Sequence, residues 1–125
     1  LIDDIRISIE GSKQVHNNVR GENSFQKAVN GAFLLRKYSS KLSLQMVVSK
    51  KSYTSMKNLI DLAQKIGIFQ VIYQPFQSTL LSKRKELVKD FLIREEKELE
   101  RLAREIEETI NYAREEKIKI FFQYY

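Results

Sequence analysis

Four side chains able to bind or move charge lie close together near the start of the chain: Ser8, Glu10, His16 and Arg20. They sit in the run Ile-Arg-Ile-Ser-Ile-Glu-Gly-Ser-Lys-Gln-Val-His-Asn-Asn-Val-Arg-Gly, residues 5–21. A carboxylate and a hydroxyl can accept or donate to sugar hydroxyls. A guanidinium can hold a carboxylate through two parallel N–H bonds. An imidazole titrates near neutral pH and can shuttle a proton. Each also has a plainer reading. Ser8 and Glu10 would be a solvated strand end beside Gly11, Arg20 a water-exposed loop cation, and His16 an organiser of loop hydrogen bonds. Asn17, Asn18 and Asn23 have the types that make turns.

The elements that must position these residues can be read from periodicity. Ile5, Ile7 and Ile9 alternate with Arg6, Ser8 and Glu10, which is the period of a strand with one apolar face. If the isoleucines face covering helices, Ser8 and Glu10 face the other way. Residues 12–23 read as a loop rich in Asn, Ser and Gly. Ser24 suits a helix N-cap. From Phe25 the apolar residues Ala28, Val29, Ala32, Phe33 and Leu35 recur at helical spacing.

A second strand follows at residues 42–49, with Leu42, Leu44, Met46 and Val48 alternating with Ser43, Gln45, Val47 and Ser49. Ser52 or Thr54 can cap the next helix, whose apolar stripe is Met56, Leu59, Ile60, Ala63 and Ile66. Gly67 sits where a helix C-terminal glycine belongs. Ile68 to Tyr73 form a third strand, closed by Pro75. Strand and helix alternating at this spacing predict right-handed βαβ units in a parallel sheet. Gln45, Ser49, Gln70 and Gln74 then join Ser8 on the face away from the helices. Buried parallel strands usually read as continuous apolar runs, so polar residues there point to a ligand cavity.

Residues 5–76 resemble the middle of a radical S-adenosylmethionine (radical SAM) enzyme barrel. In that family a strand ends in Ser-x-Asp-Gly, a loop carries His-Asp and Arg-Gly, and a Ser-Phe pair opens a helix. Here the corresponding residues are Ser8-Ile9-Glu10-Gly11, His16-Asn17, Arg20-Gly21 and Ser24-Phe25. The chain departs from the pattern at Glu10, at Asn17, and at Tyr53, where similar proteins often carry Asn. The loop style is similar to that of the peptide-modifying and enzyme-maturase (SPASM-type) members. The resemblance implies a parallel βαβαβ half-barrel, a partial TIM-like barrel, over residues 1–78. It implies that Ser8 and Glu10 lie near the ribose and methionine part of S-adenosylmethionine, that Arg20 holds its carboxylate, and that Gln45, Ser49 and Gln74 face substrate. The parent would cleave S-adenosylmethionine reductively at a [4Fe-4S] cluster.

The sequence contains no cysteine, and Fe–S clusters are held mainly by Cys thiolates. A cluster is therefore expected in a missing N-terminal half of the same protein, and this chain alone is not expected to be catalytic. Three parallel strands cannot close a barrel, and their open edges invite pairing with that half.

Residues 79–125 change character. Leu99, Ala103, Ile106, Ile110 and Ala113 follow a heptad spacing. Glu100, Arg104 and Glu108 form opposite-charge pairs four residues apart. A helix over residues 81–117, roughly 55 Å long at about 1.5 Å per residue, is predicted, with that seam packed on another element or a second chain. The tail Lys-Ile-Phe-Phe-Gln-Tyr-Tyr reads as a strand. A second reading is therefore a non-catalytic α/β interaction module that dimerises or docks through this helix.

The net charge of +6 lies wholly in residues 1–78, which hold 11 Lys/Arg against 5 Asp/Glu, while residues 79–125 hold 11 of each. A basic half can attract an anionic ligand or nucleic acid, although no basic helix or interleaved basic–aromatic pattern supports nucleic acid. The aromatics at Phe25, Phe33 and Phe121–Tyr125 fit a core or an edge strand better than base stacking. No apolar run approaches the ~20 residues that span a bilayer. A cytoplasmic location is expected.

Overall fold

The computed structural model describes residues 4–76 and 92–123. Its elements in chain order are β1 (Ile5–Ser8), α1 (Lys13–Arg20), α2 (Ser24–Arg36), β2 (Leu42–Val48), α3 (Met56–Ile66), β3 (Gln70–Pro75), α4 (Glu96–Glu115) and β4 (Lys119–Phe122). A 3₁₀ turn, Tyr53–Ser55, leads into α3. The four strands form one sheet in the order β1-β2-β3-β4. Every pairing is parallel.

The register explains how the chain divides its residues between two faces. Ile7 lies opposite Leu44, Leu44 opposite Val71, and Val71 opposite Ile120. This row, with Leu42, Met46, Tyr73 and Phe122, packs in one core with Val29 and Ala32 of α2, Leu59, Ile60 and Ala63 of α3, and Ala113 of α4. Among the described residues, α2, α3 and α4 therefore cover the same face. The opposite face carries Ser8, Gln45, Ile72 and Phe121 in one row. Arg6 Nη1 donates to Gln123 Oε1 at 3.0 Å, although β1 and β4 are the two edges of the sheet. A flat sheet would hold those edges about 14 Å apart, three spacings of roughly 4.8 Å. The bond therefore spans the face opposite the helices.

Gly67 ends α3 as its spacing predicts. It takes φ +92 and its N–H donates to Ala63 O and Gln64 O. That left-handed residue turns the chain directly into β3. Gly11 also needs its missing side chain. A Cβ there would lie 2.2 Å from Ser55 Oγ and 2.6 Å from Ser55 O, and its φ is +88. The close approach docks the end of β1 onto the start of α3.

Three expectations change. Residues 13–20 are helical rather than loop. Ser12 Oγ accepts from the Val15 N–H at 3.3 Å, and Gly21 follows the last turn with φ +108. Val15 and Val19 lie one turn apart and are half-buried, and His16 is buried. The predicted long helix is shorter than expected. Residues 92–95 are not helical, and helix begins at Glu96. The remainder of the predicted span, residues 81–91, lies outside the described residues. Glu96 and Glu98 in the first turn, and Arg114 in the last, oppose the helix dipole, which favours this boundary.

The third change is the face that α4 buries. Of the heptad seam, Ala113 is buried and Ile106 half-buried, whereas Leu99, Ala103 and Ile110 are exposed. The packed face runs instead through Leu102, Ile106, Thr109, Tyr112 and Ala113. Ties to α3 fix this rotation. Lys57 Nζ meets Glu108 Oε2 at 3.0 Å and Gln64 Nε2 donates to Glu116 Oε2 at 2.7 Å. The Tyr112 hydroxyl donates to Asp61. Lys117 then takes φ 59 and β4 pairs with β3, so the tail strand forms as predicted. No helix among the described residues is long and apolar enough to cross a membrane.

Candidate functional site

In parallel sheets with helical crossovers, binding groups gather at the carboxyl ends of the strands. Here that end is built from the β1–α1 turn, α1 itself and the β2–α3 turn. Glu10 lies two residues past β1 and is almost wholly buried. Arg20 closes α1, and the helix returns its side chain to the strand end. Arg20 Nη2 and Nε donate to Glu10 Oε1 at 2.9 and 3.2 Å. The other carboxylate oxygen, Oε2, accepts from the Val47 N–H on β2 at 3.2 Å. The two partners differ sharply in exposure, 4% for the Glu10 side chain and 43% for that of Arg20. The carboxylate is thus internal, while the guanidinium reaches solvent.

His16 organises the same turn from beneath. Its Nδ1 accepts from the Glu10 N–H at 2.9 Å, which assigns the ring proton to Nε2. The ring packs edge-on against Phe25, centroids 5.9 Å apart. Burial, and secondarily the positive charge of Arg20, hold its pKa below the ordinary histidine value. His16 is therefore a neutral acceptor that fixes the backbone of Glu10. Asn17 has a comparable local task. Its Oδ1 accepts from the Phe25 N–H at 3.0 Å and from the Ser24 hydroxyl at 3.4 Å, joining α1 to the start of α2.

The other sequence-selected residues separate into two groups. Ser8, Gln45 and Gln74 share the face opposite the helices, and Gln45 Nε2 donates to Gln74 Oε1 at 2.8 Å. Gln70 opens β3 on that face. Ser49 does not join them, because β2 ends at Val48. Its N–H donates to Ser52 Oγ at 3.0 Å, and its hydroxyl lies 3.2 Å from the same atom. Ser52 in turn donates to Val47 O at 2.6 Å, and Ser55 Oγ to Glu10 O at 3.2 Å. Ser52 therefore holds the turn together rather than capping α3. This serine-bonded turn keeps the Val47 N–H aimed at Glu10.

The residues that reasoning from sequence overlooked as a unit are Glu10, Arg20 and His16. The available signal was the Ser12-to-Val15 cap with Val15 and Val19 one turn apart, which makes residues 13–20 a short helix and brings Arg20 back. Among the described residues no three His, Cys, Asp or Glu side chains come together in a way that could hold a metal ion. No protein-family model and no curated protein matches this sequence.

Proposed function

We propose that this chain is the part of a radical SAM enzyme barrel that presents S-adenosylmethionine-binding loops and substrate-facing strands. The observation that carries the reading is the topology. Four parallel strands stand in sequential order with α2, α3 and α4 packed on one face among the described residues. A doubly wound sheet reverses its strand order at a switch point and covers both faces, whereas a β/α barrel does neither. The Arg6–Gln123 bond across the face opposite the helices suits a sheet that curls. The Ser-Ile-Glu-Gly, His-Asn and Arg-Gly residues that carry the family resemblance lie at the carboxyl ends of the strands, where such a barrel binds ligands.

Arg20 fits the methionyl carboxylate. A guanidinium has five N–H donors, and Glu10 engages two of its nitrogens through a single oxygen. The rest of the half-exposed group is available to a second anion. In this reading Glu10 positions Arg20 instead of reaching the ribose, and Ser8 is the nearer group for a sugar hydroxyl. Gln45 and Gln74 face the substrate space. With no cysteine in the sequence, the [4Fe-4S] cluster belongs to another part of the protein. A cluster held there would supply the electron that cleaves S-adenosylmethionine reductively, with methionine as the leaving group.

The test is a titration of S-adenosylmethionine against the cluster-reconstituted parent protein. Arg20→Ala should raise Kd about ten- to a hundredfold, because a hydrogen bond to a charged group contributes roughly 1.5–3 kcal/mol and ~1.4 kcal/mol is a factor of ten. An unchanged Kd would remove Arg20 from the site. A parent gene without a three-cysteine loop upstream of this segment would overturn the family assignment.

A second reading, a non-catalytic module docking through α4, is favoured by Leu99 and Ile110, which are 48% and 36% exposed. It requires that Leu99→Glu with Ile110→Glu reduce the sedimentation mass of the native assembly. An unchanged mass would leave α4 a peripheral crossover helix.

A further inference from the structure

The opposite end of the sheet carries a second concave feature. A cleft of about 480 Å³ opens at the amino ends of the strands, lined by Lys41, Ser43, Phe69, Gln70, Lys117 and Lys119 among others. The strand register brings four polar residues into one row there. Arg6 lies opposite Ser43 on β2, and Gln70 on β3 lies opposite Lys119 on β4. Ser43 and Gln70 are themselves neighbours, because Leu44 pairs with Val71. Three cations thus come from three separate segments: the α2–β2 loop, the α4–β4 turn and β4.

Three observations mark the cleft as more than a basic surface. Ser43 lines the cleft although it is only 2% exposed, and its hydroxyl makes no hydrogen bond among the described residues, which leaves it to a ligand seated there. The carboxylate at the rim, Asp4, accepts from Arg6 Nε at 3.3 Å, so none of the three lysines has a carboxylate partner among the described residues. Lys117 holds φ 59 at the position after α4, where glycine or asparagine usually stands. Lys117 lines the cleft from that position.

We propose that this cleft binds a phosphate monoester on a small apolar or aromatic body. Lysine ammonium groups act as point charges for phosphate. The dianion offers several acceptor oxygens for three ammonium groups and the Ser43 hydroxyl. Phe69, 66% exposed, gives the ester's organic part an apolar wall. The site lies at the far end of the strands from Glu10 and Arg20, and its occupancy does not depend on the barrel's chemistry.

The experiment is an NMR titration of the chain with phenyl phosphate at fixed ionic strength, which holds general screening constant. Saturable shifts confined to the amides of Ser43, Gln70 and Lys119 are expected. Lys117→Gln with Lys119→Gln should weaken binding by at least about tenfold, the factor for losing one charge-assisted bond. Ser43→Ala should weaken it about fivefold. Both lysines are exposed, so the double variant keeps its dispersed spectrum. Inorganic phosphate should bind the same residues more weakly than phenyl phosphate. Benzoate should bind more weakly still. Shifts that fail to saturate, that persist unchanged in the lysine variant, or that benzoate reproduces at equal concentration would overturn the assignment.

Discussion

Removing Arg20 should cost more stability than removing the charge of Glu10, although the two form one ion pair. The reason is the difference in burial, 4% exposed for the Glu10 side chain and 43% for Arg20. Arg20→Ala leaves an internal carboxylate with only the Val47 N–H. Stranding a fully buried charge costs roughly 3–5 kcal/mol, and an exposed pair contributes only about 0–1 kcal/mol. This half-exposed pair falls between, at about 2–3 kcal/mol. Glu10→Gln leaves a guanidinium that water already reaches and keeps an oxygen for the Val47 N–H, so about 1 kcal/mol is expected. The double variant should then be more stable than Arg20→Ala alone, because no charge is stranded. Urea unfolding at pH 7 measures all four proteins of the cycle, with ΔΔG read from midpoints at constant slope. Equal losses for the two single variants, or strictly additive losses in the double variant, would refute the view that Arg20 is the main partner of the internal Glu10 side chain.

Further outcomes follow from neighbouring contacts. Gly11→Ala should destabilise by about 3 kcal/mol or more, since it adds steric conflict to an unfavourable backbone conformation; Ser55→Gly should not restore it, because the Ser55 carbonyl oxygen also blocks the new Cβ, and full rescue in thermal melts would disprove the clash. His16 has its pKa depressed on folding, so the unfolded chain binds more protons and stability should fall as pH drops below about 6.5, by up to ~1.4 kcal/mol per pH unit. His16→Gln should flatten that fall, and identical acid profiles for the two proteins would exclude it as the source. The Tyr73 hydroxyl is buried and donates to Met56 O at 2.7 Å. Burial pushes its pKa well above the ordinary tyrosine value, so alkaline absorbance titration of the native chain should leave one tyrosine silent that Tyr73→Phe removes, and Tyr73→Phe should cost about 1–2 kcal/mol by urea unfolding.

What could be read from the residues was whatever depended on period alone. The isoleucines of β1, the leucines of β2 and the stripe of α3 each repeat often enough to fix element and face, and Gly67 marks a helix end by chemistry that few residues share. The helix α1 was obscured because Asn17 and Asn18 are turn formers, and the role of Asn17 depends on Ser24 and Phe25, which begin the next helix. The solvent side of α4 could not be told from its core side, because two apolar stripes overlap at Ile106 and Ala113. Only the contacts of Glu108, Tyr112 and Glu116 with Lys57, Asp61 and Gln64 of α3 choose between them. Ser49 illustrates a boundary effect. One residue decides whether an alternating position still belongs to the strand, and Pro75 opposite Val48 ends the ladder just before it. The Glu10–Arg20 pair needed the short helix that the Ser12 cap signals, and the contact of Glu10 with the Val47 N–H of β2 lies in no local pattern.

The sequential strand order has a consequence for how the molecule can be made. Each strand pairs with the one that precedes it in the chain, so every βα unit leaving the ribosome meets a ready edge. Each pairing still closes a whole crossover, from Ile5 to Leu42 and from Gln70 to Lys119, and parallel pairing at such separations forms slowly, but no strand has to wait for a later one to find its partner. Shortening the chain from its carboxyl end should therefore erode the sheet one strand at a time, leaving β1 to β3 as a template on which β4 can be supplied in trans as a peptide.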